Sequence, residues 1–103
     1  MRKRGRRDAN HNAIKEYAIA LGFSVCDLAD MGNGIPDLLL GMDGVNILVE
    51  VKDGNKPPSR RQLTPDENEW HAAWHGGVYI VERAEDVDLL RLHIKDAKIE
   101  WPY

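Results

Sequence analysis

Apolar residues dominate two neighbouring stretches of the chain, residues 35–42 and 45–51, and only Asp43 and Gly44 separate them. An Asp-Gly pair between apolar runs is typical of a two-residue β-hairpin turn, because such a turn needs positive φ at both positions. If these two residues form the loop, Met42 lies opposite Val45. One face of the hairpin is then continuous core, made of Leu38, Leu40 and Met42 opposed to Val49, Ile47 and Val45.

The other face of the predicted hairpin mixes apolar residues with charged ones. The same pairing places Asp37 directly opposite Glu50, and Lys52 projects from the same side. Two opposed carboxylates repel each other unless a cation lies between them, and burying unpaired negative charge among apolar neighbours is costly. We therefore expect Mg²⁺ or Mn²⁺ between the carboxylates, with the lysine beside it. The alternative is a solvated strand face with ordinary surface charges.

The remaining periodicity predicts three helices and two further strands. Pro36 cannot donate a ladder hydrogen bond, so Asp37 is expected at a margin of the sheet. The predicted elements are a helix over Asp8–Leu21, a strand over Phe23–Leu28, a helix from the Thr64 cap to about Trp74, a strand over Val78–Val81 and a helix from Ala84 to about Leu92. A weaker pattern suggests an edge strand around Lys98–Trp101. The order α-β-β-β-α-β-α predicts a mixed α/β fold with a small mixed sheet flanked by helices.

Length and composition narrow the class of protein. The 103 residues suit one folded domain, and we predict a basic arm over residues 1–7 and a single domain over residues 8–103. No apolar run is long enough for a membrane span, and no apolar segment follows the first basic residues as in a secretory signal. The single cysteine, Cys26, excludes an internal disulfide and a multi-cysteine zinc site, and we interpret it as a buried thiol. An intracellular location, cytoplasmic in a bacterium or a phage-infected host, is the expectation.

Charge is unevenly distributed, although the net charge is −3. Residues 1–7 hold five of the 14 lysines and arginines and none of the 17 acidic residues. A basic arm on an acidic body is typical of proteins that bind nucleic-acid phosphates, and a solvated tail is the alternative. The candidate DNA contacts are Arg4, Arg6 and Arg7 in the arm and Lys56, Arg60 and Arg61 in the polar segment 53–62, for which a plain solvated loop is the alternative.

Histidines and tryptophans give weaker indications. His71 and His75 have the i, i+4 spacing of a zinc site but lack further ligands at suitable spacing, so packing is the favoured interpretation. Trp70, Trp74 and Trp101 are candidates for stacking on bases. Two tryptophans on one helical stripe, however, more often belong to a core or a dimer contact.

Pro36-Asp37, followed after twelve residues by Glu50-Val51-Lys52, resembles the PD-(D/E)xK motif of the restriction-endonuclease-like nucleases. The longer segments GNGIPDLLLG and LVEVKDGNKPPSRRQLTPDENEWHAAWHG resemble the small stand-alone phage and prophage proteins of the VRR-NUC branch of that superfamily. The resemblance extends from about Asp8 to Leu90 and implies a restriction-endonuclease-like fold.

The resemblance also implies a function and roles for individual residues. It implies a metal-dependent DNA endonuclease, acting on branched DNA in the manner of a Holliday-junction resolvase, as a homodimer. Asp37, Glu50 and the backbone carbonyl of Val51 would hold the metal, and Lys52 would position the attacking water and offset charge in the transition state.

Two positions depart from the pattern of the family. The acid on the first helix is expected near Ala13, which has no carboxylate, and the nearest acid, Glu16, is a candidate ligand on the side away from the apolar stripe. The family glutamine at the start of the second helix corresponds to Glu67, an accessory candidate whose capping role is sufficient explanation. The alternative function is therefore a DNA-binding accessory protein with a weakened or inactive nuclease site. A metal hydrolase with another substrate is disfavoured by the basic residues.

Overall fold

The structure, a computed structural model, describes residues 8–97. Its helices and strands are α1 (His11–Ala20), β1 (Ser24–Asp27), β2 (Leu38–Met42), β3 (Val45–Val51), α2 (Pro65–Ala73), β4 (Val78–Val81) and α3 (Ala84–Ala97), with short 3₁₀ turns at Ala29–Met31 and Pro58–Arg60. This order confirms the predicted mixed α/β fold. The basic arm and the weak edge strand around Lys98–Trp101 lie outside the described residues.

The four strands form one sheet in the order β1-β2-β3-β4. β1 and β2 are antiparallel, β2 and β3 form the antiparallel hairpin, and β4 is parallel to β3 after a crossover through α2. Met42 pairs with Val45 and Leu38 with Val49, so the predicted register is confirmed. Asp43 and Gly44 have φ angles of 52° and 78°, as a two-residue turn of this type requires.

The first helix begins and ends at local signals. It starts at His11, later than predicted, because residues 8–10 form a turn closed by the His11 amide, which donates to the Asp8 carbonyl at 3.0 Å. At its other end Gly22 has a φ of 103°, and the Phe23 amide donates to the Ala18 carbonyl at 3.0 Å. This is the glycine-ended motif that satisfies the last carbonyls of a helix.

The last helix is longer than predicted. It continues past Leu92 to Ala97, because Ile94 extends the buried stripe of Val87 and Leu90. Leu89, between the buried Val87 and Leu90, faces outward and is 62% exposed. In the described residues, no helix is long and apolar enough to cross a membrane.

One face of the sheet, which we call the packed face, is covered by α1 and α3. The two helices are also joined directly, since the Tyr17 hydroxyl lies 2.9 Å from both carboxylate oxygens of Asp88. The packed face consists of buried apolar side chains: Leu38, Leu40, Ile47, Val49, Val51 and Val81.

The opposite side of the sheet, which we call the open face, is largely left uncovered by residues 8–97. It carries Cys26, Leu39, Leu48, Glu50 and Ile80, which the strand pairings place side by side. Leu39 and Leu48 are half-buried and Ile80 is 49% exposed. Cys26 is exposed, so its interpretation as a buried thiol was wrong. Its strand lies at the sheet edge, and its side chain projects from the open face.

Candidate active site

Asp37, Glu50 and Lys52 converge at the end of the hairpin. Asp37 directly precedes β2, where the Leu28 amide donates to its carbonyl at 2.7 Å. Glu50 lies in β3, and Lys52 follows that strand with its amide donating to the Val81 carbonyl at 2.9 Å. All three residues are buried, at 8%, 1% and 7% relative exposure. The structure therefore brings the predicted trio together at the sheet margin expected for Asp37.

The carboxylate of Asp37 reaches across to the neighbouring strand. Its Oδ2 atom accepts a hydrogen bond of 2.8 Å from the amide of Val51, the residue after Glu50. Burial, the hydrogen bond with Asp37 and the negative charges of Asp37 and Glu67 raise the pKa of Glu50 far above its ordinary value. Without a cation, the buried pair therefore holds a proton rather than two full charges.

This donor set suits a hard divalent cation. Carboxylate and carbonyl oxygens are the ligands that Mg²⁺ and Mn²⁺ prefer, and Mg²⁺ commonly takes only one or two protein carboxylates together with water and substrate phosphate. Within residues 8–97, no three His, Cys, Asp or Glu side chains are grouped so that they enclose an ion. The two carboxylates and the Val51 carbonyl thus fit a partly open site better than a closed cage.

Glu67 connects the second helix to the site. Its Oε1 atom lies 2.7 Å from the Lys52 Nζ atom and accepts from the Thr64 amide at 2.8 Å. The Glu67 amide in turn donates to the Thr64 hydroxyl at 3.3 Å, which confirms the predicted capping box. Sequence reasoning considered the cap sufficient, whereas the structure shows one carboxylate bonding both to the cap and to the lysine.

The contact with Glu67 also keeps Lys52 charged. Burial favours the neutral amine, but the hydrogen bond and the negative charge of Glu67 raise the pKa of Lys52 above its ordinary value. Burial likewise opposes the charge of Glu67, whose pKa is nevertheless lowered by hydrogen bonds from Lys52 and Thr64. At neutral pH the site therefore contains a buried ammonium group next to the two carboxylates.

His71 is a site residue that the sequence reasoning missed. Its Nε2 atom lies 3.3 Å from Oε1 of Glu50, and burial lowers the pKa of its imidazole. The signal was its spacing: His71 follows Glu67 by one helical turn, so the two side chains share a helix face. His75 lies beyond the end of α2 and is exposed.

A glycine loop holds α2 beside the hairpin. Gly32, Asn33 and Gly34 all have positive φ angles of 57–79°, and a Cβ atom on Gly34 would lie 2.2 Å from the Asp66 carbonyl oxygen. A side chain at this position would push away the first turn of α2. The close approach of this loop is therefore made to the helix that carries Glu67.

The first helix is anchored behind the site by Asn10. Its Nδ2 atom donates to the carbonyls of Lys52 and Glu82, at 3.1 and 3.0 Å. Nearby, Asp8 lies 3.6 Å from the Nζ atom of Lys56, and its charge acts on Lys52. The described chain therefore starts close to the buried lysine. The predicted DNA contacts Arg4, Arg6 and Arg7 precede it, outside the described residues.

The other predicted site residues have different surroundings. Lys56 is 43% exposed and Arg60 is exposed in the 3₁₀ turn. Arg61 instead pairs with Glu82 at 2.9 Å and is only 22% exposed. Glu16 is exposed on α1, and no hydrogen bond or ion pair of the described residues joins it to the two carboxylates.

A solved structure described as a VRR_NUC domain is similar to this chain. The two share 34% sequence identity with a TM-score of 0.56, and the match covers 84% of this chain and 98% of that chain. No protein-family model matches the sequence, and no curated protein matches it either. The similarity therefore includes nearly all of the solved domain.

Proposed function

The chain belongs to the VRR-NUC family, and from that membership we propose that it is a divalent-metal-dependent DNA endonuclease that hydrolyses phosphodiester bonds. The fold is that of a nuclease family. The observation that supports the activity is the buried pair Asp37 and Glu50 with the Lys52 ammonium beside it. Adjacent buried carboxylates are unfavourable for folding, which indicates that they serve a ligand.

Asp37, Glu50 and the Val51 carbonyl would hold Mg²⁺ or Mn²⁺. When bound, the cation would stabilise negative charge on the scissile phosphate and make a coordinated water more acidic. The Val51 amide keeps the Asp37 carboxylate oriented through the 2.8 Å hydrogen bond to Oδ2, which leaves Oδ1 available as a ligand. His71, 3.3 Å from Oε1 of Glu50, orients the second carboxylate in the same way.

Lys52 is proposed as the catalytic cation. Its ammonium group would hold the attacking water and offset the charge that develops on the phosphate oxygens. The 2.7 Å contact with Glu67 restricts where this long side chain points, and Glu67 is itself fixed by the helix cap. Glu67 is thus proposed as a positioning residue, and Glu16 has no support from its exposed location.

The DNA backbone is proposed to lie along the basic residues beside this site. Lys56 and Arg60 project toward solvent, whereas the ion pair of Arg61 with Glu82 makes Arg61 a weaker candidate. The arm residues Arg4, Arg6 and Arg7 immediately precede Asp8 in the sequence, and Asp8 lies 3.6 Å from Lys56. Phosphate contacts of this kind provide affinity without reading sequence.

Selectivity for branched DNA and action as a homodimer remain predictions. The chain measures about 40 × 28 × 22 Å along its principal axes. Such a small body has limited surface for gripping two duplexes at once, so we propose that two copies act on one junction. Sedimentation of the protein alone and with a four-way junction measures this directly.

The test of the proposed function is a cleavage panel. Linear, flapped and four-way DNA would be incubated with the protein in Mg²⁺, Mn²⁺ or EDTA, together with Asp37→Asn and Lys52→Ala. We expect cleavage that needs a metal and is lost in both variants. Cleavage that survives both substitutions would contradict the assignment of the site.

A second candidate function is a DNA-binding accessory protein without nuclease activity. It is favoured by one observation, the lack of a contact between an acid on α1 and the two carboxylates in the described residues. Tight DNA binding without cleavage in either metal would support it. Direct titration of Mn²⁺ into the protein distinguishes a site that binds no metal from a site that binds metal but does not cleave DNA.

A further inference from the structure

Trp70 on α2 and Trp74, which caps the C-terminal end of that helix, form a stacked pair that the described residues cover only in part. The ring centroids of Trp70 and Trp74 are 4.8 Å apart and their planes differ by 18°. Trp74 is 48% exposed, and no residue of α2 is buried within the described structure. Trp70 is half-buried. Because tryptophans are highly buried on average, a half-buried ring and an exposed ring stacked at the surface indicate a binding surface.

The tryptophan pair lies directly beside the candidate active site. The ring centroids of Trp70 and His71 are 6.3 Å apart, and His71 lies 3.3 Å from Glu50. Successive phosphates of one DNA strand are roughly 3.4 Å apart along the duplex axis. A nucleotide a few positions from a phosphate held by a cation at Asp37 and Glu50 would therefore lie within reach of these rings.

A cleft of about 310 Å³ adjoins the stack and is lined by Asn33, Asp66, Glu69, Trp70 and Ala73. The carboxylates of Asp66 and Glu69 repel phosphate, so the DNA backbone is disfavoured there. Carboxylates and the Asn33 amide do, however, accept hydrogen bonds from the amino and imino groups of bases. This combination of a flat aromatic wall and polar acceptors suits a nucleobase.

We propose that the Trp70–Trp74 stack and this cleft form a binding site for an unpaired nucleobase close to the scissile phosphate. Bases within a duplex are already stacked and paired, so the site selects DNA with unpaired nucleotides, such as gaps, flaps or open junction centres. The inference rests on the proposed function for the position of the phosphate. The base site itself requires no cleavage.

The experiment measures DNA binding in EDTA, so that no substrate is cut. The wild type, Trp74→Ala and Trp74→Phe are titrated against a labelled single strand, a duplex with a short gap and the matching continuous duplex. We expect Trp74→Ala to bind the single strand and the gapped duplex about 5- to 100-fold more weakly, as for the loss of one base–aromatic stack. Trp74→Phe retains a ring and is expected to keep most of the affinity.

Salt dependence and the duplex control separate stacking from charge. Because no cation is removed, the slope of log affinity against log salt should stay the same in Trp74→Ala. Affinity for the continuous duplex should also be unchanged. An equal loss of affinity for all three DNAs in Trp74→Ala would overturn the proposal. Unchanged affinity together with conversion of a dimer to a monomer would also overturn it, because that result would identify the tryptophans as a contact between two copies of the chain.

Variants of Trp74 and of Asp37 test the base-binding site and the catalytic site separately. Asp37→Asn should lose cleavage while keeping the preference for unpaired DNA, because its substitution leaves α2 intact. Circular dichroism of Trp74→Ala checks that the variant is folded. If the wild type binds single strands through Trp74 but cuts no DNA, the base site stands and the catalytic proposal fails.

Discussion

The two faces of the sheet differ in composition, covering and role. The packed face is apolar except for Asp27 at its edge, and it lies under α1 and α3. The open face carries a buried carboxylate, half-buried leucines and exposed side chains, and α2 contacts this side of the hairpin at Glu50 and Lys52. The packed face thus provides most of the buried apolar core of the domain, and the open face carries the candidate active site.

This separation rests on alternation along two short strands. Asp37 and Leu38 are neighbours in sequence, and so are Glu50 and Val51, yet the members of each pair project to opposite faces. A shift of the hairpin by one residue would move all the charged groups into the core. The Asp43-Gly44 turn therefore determines both the core and the candidate active site.

The largest expected effect is on the open face. Asp37→Asn should reduce cleavage by on the order of 10³-fold, because a neutral amide is a poor ligand for a divalent cation. The protein should be no less stable, since Asn still accepts from the Val51 amide and Glu50 no longer has to take up a proton beside a second carboxylate. Single-turnover cleavage and urea unfolding measure the two quantities.

The matched control is Asp43→Asn at the tip of the hairpin. An Asn-Gly pair suits the same turn, so both activity and stability should remain close to those of the wild type. Comparable activity in the two variants would remove the reason to assign metal binding to Asp37.

Substitutions on the packed face should lower stability, in contrast to Asp37→Asn, which should lower cleavage without lowering stability. Leu38→Ala should lower the free energy of unfolding by about 3 kcal/mol, because it leaves a cavity under the helices. Leu39→Ala, on the open face, removes a half-buried side chain and should cost less than about 1.5 kcal/mol. Urea unfolding of both variants tests this, and an equal loss would show that the open face is more tightly packed than the structure indicates.

Glu67 provides a smaller test that separates folding from chemistry. Thr64→Ala removes one half of the capping box and should cost about 1 kcal/mol of stability with little effect on cleavage. Glu67→Ala should cost a similar amount and also reduce cleavage about tenfold or more, because Lys52 loses its partner. Equal cleavage rates in the two variants would limit Glu67 to its capping role.

The smallest effect concerns Asp27, a charged group at the edge of the packed side. Burial alone would raise its pKa, but hydrogen bonds from His11, the Ala29 amide and Lys15 lower the pKa to about 2. Since the folded pKa is depressed, the stabilisation is present above about pH 4 and is lost as the pH falls toward 2.

Allowing for solvent screening, that stabilisation should amount to about 1 kcal/mol. The measurement is urea unfolding of the wild type and Asp27→Asn at several pH values between 5 and 2. The difference between the two proteins should shrink as the pH falls. A constant difference would mean that the contribution of Asp27 to the free energy of unfolding does not depend on the charge of its carboxylate.

Much of the fold was predictable because its signals are local. The Asp-Gly turn determines the hairpin register, Thr64 and Glu67 mark the start of α2, and Gly22 ends α1. Alternation then assigns each strand residue to a face. The convergence of Asp37, Glu50 and Lys52 follows from these short-range features, since all three belong to one hairpin and its immediate ends.

Contacts between distant parts of the chain were decided only by the tertiary structure. The approach of α2 to the hairpin places Glu67 on Lys52 and His71 on Glu50, and it depends on the close packing of Gly34 against the helix. The exposure of Cys26 follows from the absence of a covering element over β1 on the open face of the described chain. The periodicity of the sequence specifies which residues share a face of a helix or strand, whereas the packing of whole helices and strands determines which residues that face contacts.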